Sequence, residues 1–248
     1  MIRFILVCIV VIGYLILSIP LLLIEWIIGK FNPYAKEISS LRIIQTVFRF
    51  ILWLTGLKLE VIGEENVPKD CAVLYIGNHR SFFDVLITYA RCPRRTGYVS
   101  KMELKKFPLL RDWMNNLHCL FLDRTNLKAG MQMILTGIQK IKDGISICIF
   151  PEGTRSKGEK ELPMLEFHEG SFKMAQKTNC PIVPMAMVNT CEIFEAHFPK
   201  IKPTHVILEY GKPIIPSELS AEDKKHLGAY TQKVITEMLM KNQKLLKK

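Results

Sequence analysis

A chain of 248 residues with 49% hydrophobic content can bury one substantial core, which excludes a disordered protein and argues for one catalytic-sized domain plus an appendage. The formal charge of +11 calls for an anionic partner: nucleic acid, an acidic membrane surface or a phosphorylated small molecule. Seven cysteines without a C-x-x-C pair, several inside apolar runs such as "ISICIF", read as reduced, buried thiols, not as a disulfide framework or a zinc site. "HEG" at His168 lacks the second histidine of H-E-x-x-H, and no metal is expected.

From Phe4 to Ile28 the run "FILVCIVVIGYLILSIPLLLIEWII" carries one charge, Glu25, and exceeds the roughly 20 residues that a bilayer crossing needs. It is too long for a signal-peptide core, and no A-x-A-like site follows it. Pro20 divides it, so a single span and a re-entrant or half-inserted hairpin both fit. Either way the expected anionic partner is membrane lipid, and nucleic acid drops out. Lys30, Lys36 and Arg42 follow the segment while Arg3 alone precedes it, which predicts a main domain on the cytoplasmic side. Within "LRIIQTVFRFILWL", residues 41–54, Arg42, Gln45, Thr46 and Arg49 form a narrow polar stripe at i, i+3, i+4 and i+7. Such a helix either lies in a lipid interface or packs into the domain core.

After Gly56 the texture changes to short apolar runs alternating with amphipathic stretches. This divides the chain into N-terminal membrane-anchoring or interfacial helices, residues 1–56, and a catalytic domain, residues 57–248. Strands are predicted over 57–63, 71–77, 96–100, 118–122, 145–150, 181–188 and 204–210. Residues 126–143 carry Met131, Ile134, Leu135, Ile138 and Ile141 at helical spacing, with Asn126 as N-cap and Gly144 as the stop. A last helix over about 218–243 runs into the basic tail "KNQKLLKK", a solvated end or a lipid-surface contact. The alternation predicts an α/β fold with a central, mostly parallel sheet of about seven strands flanked by helices.

Three polar motifs each follow an apolar strand: "NHRSFFD", "DRTN" and "PEGTRS". In open α/β sheets ligands bind outside the carboxyl ends of strands, so the three can converge on one crevice. In the first, His79 and Asp84 are five apart, about 140° on a continuous helix. One reading is a capping box, with Asp84 reaching back to Ser81. The other uses the strand-to-helix turn to fold the His79 ring over the first helical turn, where Asp84 holds Nδ1–H and leaves Nε2 free as a base. The chain has no G-x-S-x-G elbow, and Cys119 and Cys148 fall in strand interiors. A base without a protein nucleophile needs a substrate that brings its own hydroxyl, and acyl transfer to an alcohol fits. Backbone N–H groups near Ser81 are the expected oxyanion donors.

In "FPEGTRS", Gly153 permits close backbone approach, Arg155 offers a planar donor fork, and Glu152 can hold a hydroxyl or orient the arginine. A polar turn held by a Glu–Arg pair is the plainer alternative, and Arg124 beside Asp123 has a similar one. Between residues 91 and 111, Arg91, Arg94, Arg95, Lys101, Lys105, Lys106 and Arg111 face Glu103 as the sole glutamate. That run is a solvated face or a site for a phosphate or anionic headgroup.

In order, "NHRSFFD", "FLDRT", "FPEGTRS" and "PIVPMAM" resemble the motifs of the bacterial PlsC-like family of 1-acylglycerol-3-phosphate acyltransferases, over about residues 55–215. The resemblance implies His79 and Asp84 as a catalytic dyad, and Arg124, Glu152, Gly153, Thr154 and Arg155 as binders of a glycerol phosphate. Lys101, in "YVSKMEL", matches a family lysine implicated in phosphate contact, and Pro184 matches a motif with a structural or acyl-binding role. The reaction implied moves a fatty acyl group from acyl-CoA or acyl-carrier protein, as co-substrate, to the sn-2 hydroxyl of lysophosphatidic acid. Phosphatidic acid is the product, and no metal or bound cofactor is implied. Two positions depart from the family: His118 stands where glycine is usual, and Arg111 where glycine is frequent. Both bear on the acceptor and the pocket shape. The alternatives are a glycerol-3-phosphate or other lysolipid acceptor, a thioesterase or lipid hydrolase in which His79 activates water, and a non-enzymatic membrane adaptor.

Overall fold

The break expected at Pro20 falls two residues earlier. In the computed structural model, which describes residues 1–158 and 161–246, α1 (Ile2–Leu17) and α2 (Ile19–Phe31) meet at Ser18 with a bend of 47°. Pro20 lies in the first turn of α2, where a missing N–H leaves no intrahelical bond unmade. Ser18 Oγ donates to the Leu15 carbonyl (3.0 Å) and accepts from the Trp113 indole (2.8 Å), which pins the bend to the domain. Asn32 caps α3 (Pro33–Thr55) by accepting from the Ala35 N–H (3.0 Å). Buried Glu25 on α2 accepts from Ser39 (2.6 Å) and Ser40 (3.2 Å) on α3, which locks the two helices together. The outward faces of α1 and α2 leave Ile5, Ile9, Ile12, Ile16, Leu23 and Ile27 exposed. By length and apolarity α3 suffices to cross a membrane, as does the bent pair α1–α2 taken together.

The polar stripe of residues 41–54 meets the protein through Gln45 and Arg49, while Arg42 and Thr46 are exposed. Gln45, fully buried, donates from Nε2 to the carbonyls of Tyr89 (3.2 Å) and Cys92 (2.7 Å), and Arg49 donates to that of Ala90 (3.0 Å). These carbonyls lie at the end of α4 (Phe83–Tyr89) and in the turn that follows it, where intrahelical donors run out, so α3 supplies donors to them. Leu41, Ile44, Ile51 and Leu52 join the core on the same side, while Phe50 and Trp53 point outward. Of the two readings of this segment, packing on the domain explains the stripe, and an exposed aromatic face remains on the other side.

All seven predicted strands form, in one sheet ordered β1-β7-β6-β2-β5-β3-β4 among the described residues. They are β1 (Lys58–Ile62), β2 (Leu74–Gly77), β3 (Thr96–Lys101), β4 (Leu120–Leu122), β5 (Ser146–Ile149), β6 (Ile182–Val188) and β7 (His205–Tyr210). Every pairing is parallel except β6 with β7. Successive residues of β2 serve opposite cores, as the two-residue strand period requires. Tyr75 packs with α3, α4 and α5 (Pro108–Asn116), and Leu74 and Ile76 with α6 (Leu127–Lys142), α7 (Lys173–Thr178) and α9 (Leu227–Leu246). The α6 N-cap is Asn126, accepting from the Ala129 N–H (3.0 Å), and Gly144 follows at φ +78. The last predicted helix is split into α8 (Ala221–Lys225) and α9, and Lys247 and Lys248 of the tail lie outside the described residues. Because β6, β2, β5, β3 and β4 run the same way, the segments after each of them arrive at one edge of the sheet.

Replacing Gln45 by alanine leaves the Cys92 carbonyl without its donor and the Tyr89 carbonyl with the Cys92 N–H alone. It should cost about 1–3 kcal/mol, read as a lower denaturant midpoint at unchanged slope.

Candidate active site

Where β2 ends, the backbone turns sharply before α4, and three carboxylates build that turn. Buried Asn78 first extends the sheet, its side chain exchanging bonds with both the carbonyl (2.9 Å) and the N–H (2.8 Å) of Met187. The His79 N–H then donates to Glu152 Oε1 (2.7 Å), and its carbonyl accepts from the Ser156 N–H (2.8 Å). These bonds join the turn after β2 to the turn after β5. The His79 ring lies flat on Phe150, with centroids 4.3 Å apart and planes at 13°. Its Nδ1 is 2.8 Å from Asp84 Oδ2.

The same Asp84 oxygen accepts from the N–H groups of Arg80 and Ser81, each at 2.7 Å. Both readings of the five-residue spacing therefore hold at once. Asp84 reaches back to the turn as in a capping box, and the bend of that turn carries the His79 ring to the same carboxylate. Asp84 is fully buried, and its Oδ1 has no hydrogen-bond partner among the described residues. The Phe82 N–H donates to Glu195 Oε1 (2.8 Å) and the Phe83 N–H to Ser81 Oγ (3.0 Å). The amides of residues 80–83 are thus all engaged inside the turn, which corrects the expectation that those near Ser81 point at an oxyanion.

No described residue hydrogen-bonds His79 Nε2. Burial pushes the Cys119 thiol up to about 11 and that of Cys148 well above its ordinary value, so neither is a ready thiolate. The second carboxylate, Glu152, is 4% exposed and spends both oxygens on backbone amides: His79 on one, Leu165 (3.0 Å) on the other. Burial raises its pKa, with those amides pulling it partly back. Arg155 accordingly does not pair with it.

Arg155 pairs instead with Glu195 Oε1 (3.0 Å), and its guanidinium lies 3.7 Å from the Phe82 ring centroid. Glu195 Oε2 accepts from Ser81 Oγ (2.7 Å). This third carboxylate escapes a motif search because it lies 114 residues beyond Ser81 in "CEIFEAHF". The available signal is topological: the loop after β6 reaches the same edge as the loop after β2. Gly153 has φ +69, and a Cβ there would lie 3.2 Å from the His168 ring, so the turn requires glycine. Thr154 is exposed beside it, as are Lys101 at the end of β3 and Arg124 after β4. Two strands separate β4 from β2, and at about 4.8 Å per step that is about 14 Å along the edge. Pro184 sits inside β6 opposite Ile76, away from the edge. Arg111 pairs with its neighbour Asp112 (2.9 Å). His118, at φ +59 before β4, occupies the opposite edge in a backbone conformation that glycine adopts freely.

Behind the His79–Phe150 stack, Tyr98 approaches Phe150 (6.4 Å) and helps line an open cavity of about 420 Å³, with Tyr75, Met185 and Tyr210 along its wall and the charged Glu64, Lys69 and Arg91 in its lining as well.

A histidine held by a buried carboxylate thus stands at the carboxyl end of a parallel strand in an α/β fold. The chain belongs to the acyltransferase family, whose model matches residues 58–188. It is similar to the 1-acyl-sn-glycerol-3-phosphate acyltransferase of Saccharomyces cerevisiae, with 31% identity over 187 residues, 75% of this chain and 60% of the yeast protein. The protein of the same name from Borreliella burgdorferi is 34% identical over 158 residues, 62% of this chain and 61% of that one. The one from Cocos nucifera is 27% identical over 229 residues, 92% and 71%. The chain thus spans about three fifths of the length of the yeast and Borreliella relatives. Among solved structures, the 1-acyl-sn-glycerophosphate acyltransferase PlsC of Thermotoga maritima shares the fold, with a TM-score of 0.83, 23% identity and coverage of 98% of this chain and 95% of that one.

A carboxyl group with a raised folded pKa binds more protons folded than unfolded, so its contribution to stability is full below the unfolded value and is lost as pH rises through the folded one. For Glu152 that window opens near 4.5 and extends upward. Glu152→Gln removes this titration, so its stability relative to wild type should improve as pH rises across the window, as measured by thermal unfolding. Its turnover should fall, because an amide cannot accept from both His79 and Leu165.

Proposed function

We propose that this protein transfers a fatty acyl group from a thioester, acyl-CoA or acyl-carrier protein, to the sn-2 hydroxyl of lysophosphatidic acid at a membrane surface, forming phosphatidic acid. The observation that carries the reading is the 2.8 Å His79–Asp84 contact beside an Nε2 that no side chain engages among the described residues. The hydroxyl oxygen of the acceptor attacks the thioester carbonyl carbon while Nε2 takes its proton. Asp84 keeps the proton of the neutral ring on Nδ1 and stabilises the imidazolium. The tetrahedral intermediate then collapses, the C–S bond breaks, and Nε2 returns the proton to the departing thiolate. Ester and free thiol are the products.

Arg155, with only Nη1 hydrogen-bonded among the described residues, keeps donors for the acceptor phosphate. Glu152 and Gly153 shape the turn that supports it, and Thr154 adds a hydroxyl at the mouth. Lys101 and Arg124 extend the positive field along the edge. The outward faces of α1–α3 attach the protein to lipid, with the catalytic domain on the cytoplasmic side. Phe4 of α1 stacks on Phe194 (5.4 Å), next to Glu195, so the attached helices adjoin the site. A lipid acceptor can then reach His79 without leaving the bilayer.

The direct test supplies acyl-CoA or acyl-carrier protein with lysophosphatidic acid. Phosphatidic acid is expected; free fatty acid alone would assign a hydrolase, and no reaction would leave no chemistry to explain. His79→Ala should lower turnover by about 10²–10⁴. Asp84→Asn should be severely impaired and less stable as well, since one oxygen serves ring and backbone. The double variant should be scarcely slower than His79→Ala, because the pair acts as a unit; multiplicative losses would refute the dyad.

Arg155→Ala should lose about 2–5 kcal/mol of transition-state binding with the phosphate acceptor. With a phosphate-free monoacylglycerol the loss should be small. Equal losses on both acceptors would remove Arg155 from the phosphate site.

A further inference from the structure

At the edge of the sheet away from His79, the α2–α3 turn and the connection from α5 to β4 enclose a cleft of about 230 Å³. Trp26, Lys30 and Lys36 wall it on the hairpin side, and Asn115, Asn116 and His118 on the domain side. The single carboxylate in its lining, Glu37, is already matched. Its Oε2 takes Arg95 at 2.5 Å, and its Oε1 lies 3.2 Å from His118 Nε2. Lys30 and Lys36 form no ion pair among the described residues, and Lys30 Nζ sits 4.8 Å from the Trp26 ring centroid. The cleft is therefore cationic without internal compensation.

His118 is held there against backbone preference. At φ +59 it occupies the left-handed region that a side chain enters only at a cost, and its buried Nε2 faces Glu37 Oε1 without a well-formed hydrogen bond among the described residues. Lys140 Nζ stands 3.3 Å from its Nδ1; burial and that ammonium lower the ring's pKa. Along the same helix as Trp26, Leu23, Ile24, Ile27 and Phe31 are exposed, an apolar strip that runs up to a tryptophan and a lysine, the pairing found where hydrocarbon meets headgroups.

We propose that this cleft is a second lipid site, separate from the catalytic edge, which takes the phosphate headgroup of an anionic glycerophospholipid between Lys30, Lys36 and Asn116, with the acyl chains along the exposed strip of α2. The proposal rests on the membrane reading of α1–α3 and is independent of the acyl-transfer chemistry. A resident anionic lipid would hold the hairpin at a fixed depth while the acceptor occupies the other edge.

The test compares binding of the full chain to phosphatidylcholine vesicles with and without phosphatidylglycerol. Wild type should bind both and gain affinity from the anionic lipid. Lys30→Gln/Lys36→Gln should lose about five-fold of that gain per lysine, with binding to phosphatidylcholine and turnover on detergent-dispersed acceptor unchanged. Lys224→Gln/Lys225→Gln, an equal charge change on α8, should keep the whole gain. His118→Gly should fold with at least wild-type stability yet lose part of the gain. An equal loss in the α8 variant, or an undiminished gain in the cleft variant, would overturn the site. Inorganic phosphate at matched ionic strength should leave the gain intact; if it abolished the gain, the cleft would belong to a free anion. Failure to bind either vesicle would instead overturn the membrane reading.

Discussion

One oxygen of Asp84 accepts from the His79 ring and from two consecutive backbone amides, and the local architecture depends on that convergence. A fully buried carboxylate is tolerable only where donors surround it. Here the donors belong to the turn whose shape the carboxylate sets. The histidine cannot leave its place without unpairing the same oxygen that holds the backbone. Glu152 fixes the other side of the His79 peptide, and Glu195 ties Ser81 and Phe82 to Arg155. Together the three acids turn flexible loop ends into a fixed field of dipoles, the condition under which a general base can be held in a productive orientation.

The short helix that carries Asp84 is clamped at both ends. Its first turn is bound to the strand-to-helix bend, and its last carbonyls are capped by Gln45 and Arg49 from α3. Since α3 is also locked to α2 through Glu25, and the α1–α2 bend is pinned by Trp113, the helices with lipid-like outer faces share a continuous set of buried polar contacts with the site. The apolar appendage and the α/β domain are accordingly joined by the same core, without a flexible linker between Gly56 and Lys58.

Polar side chains in the hairpin fall into two groups. Glu25, Gln45 and Arg49 have hydrogen-bond partners inside the protein, whereas Lys30 and Lys36 make no side-chain hydrogen bond or ion pair among the described residues. Buried groups need internal partners because water is excluded; Lys30 is exposed and Lys36 half-buried, so both ammonium groups stay open to water or a ligand. His118, at positive φ, lines the same cleft with its ring between Glu37 and Lys140.

Much of this protein is written locally. Seven apolar runs of strand length, the Asn126 cap, the Gly144 stop and the polar segments after β2, β4 and β5 are short-range patterns, and each predicted strand forms within a few residues of its expected bounds. The convergence of those segments on one edge also follows from sequence, since alternating strands and helices make a parallel sheet. Other features depend on residues far apart in the chain. Nothing near Glu195 announces that it will meet Ser81, nothing near Gln45 that it will cap α4, and the Glu–Arg pair that "PEGTRS" offers as one reading gives way to backbone amides for Glu152 and to Glu195 for Arg155. Local propensity and hydrophobic period specify which segments become helices and strands and where their polar ends fall. Which carboxylate meets which donor is decided only when the sheet order brings distant loops together, because a buried charge takes the partners that the packed chain supplies, whatever their separation in sequence.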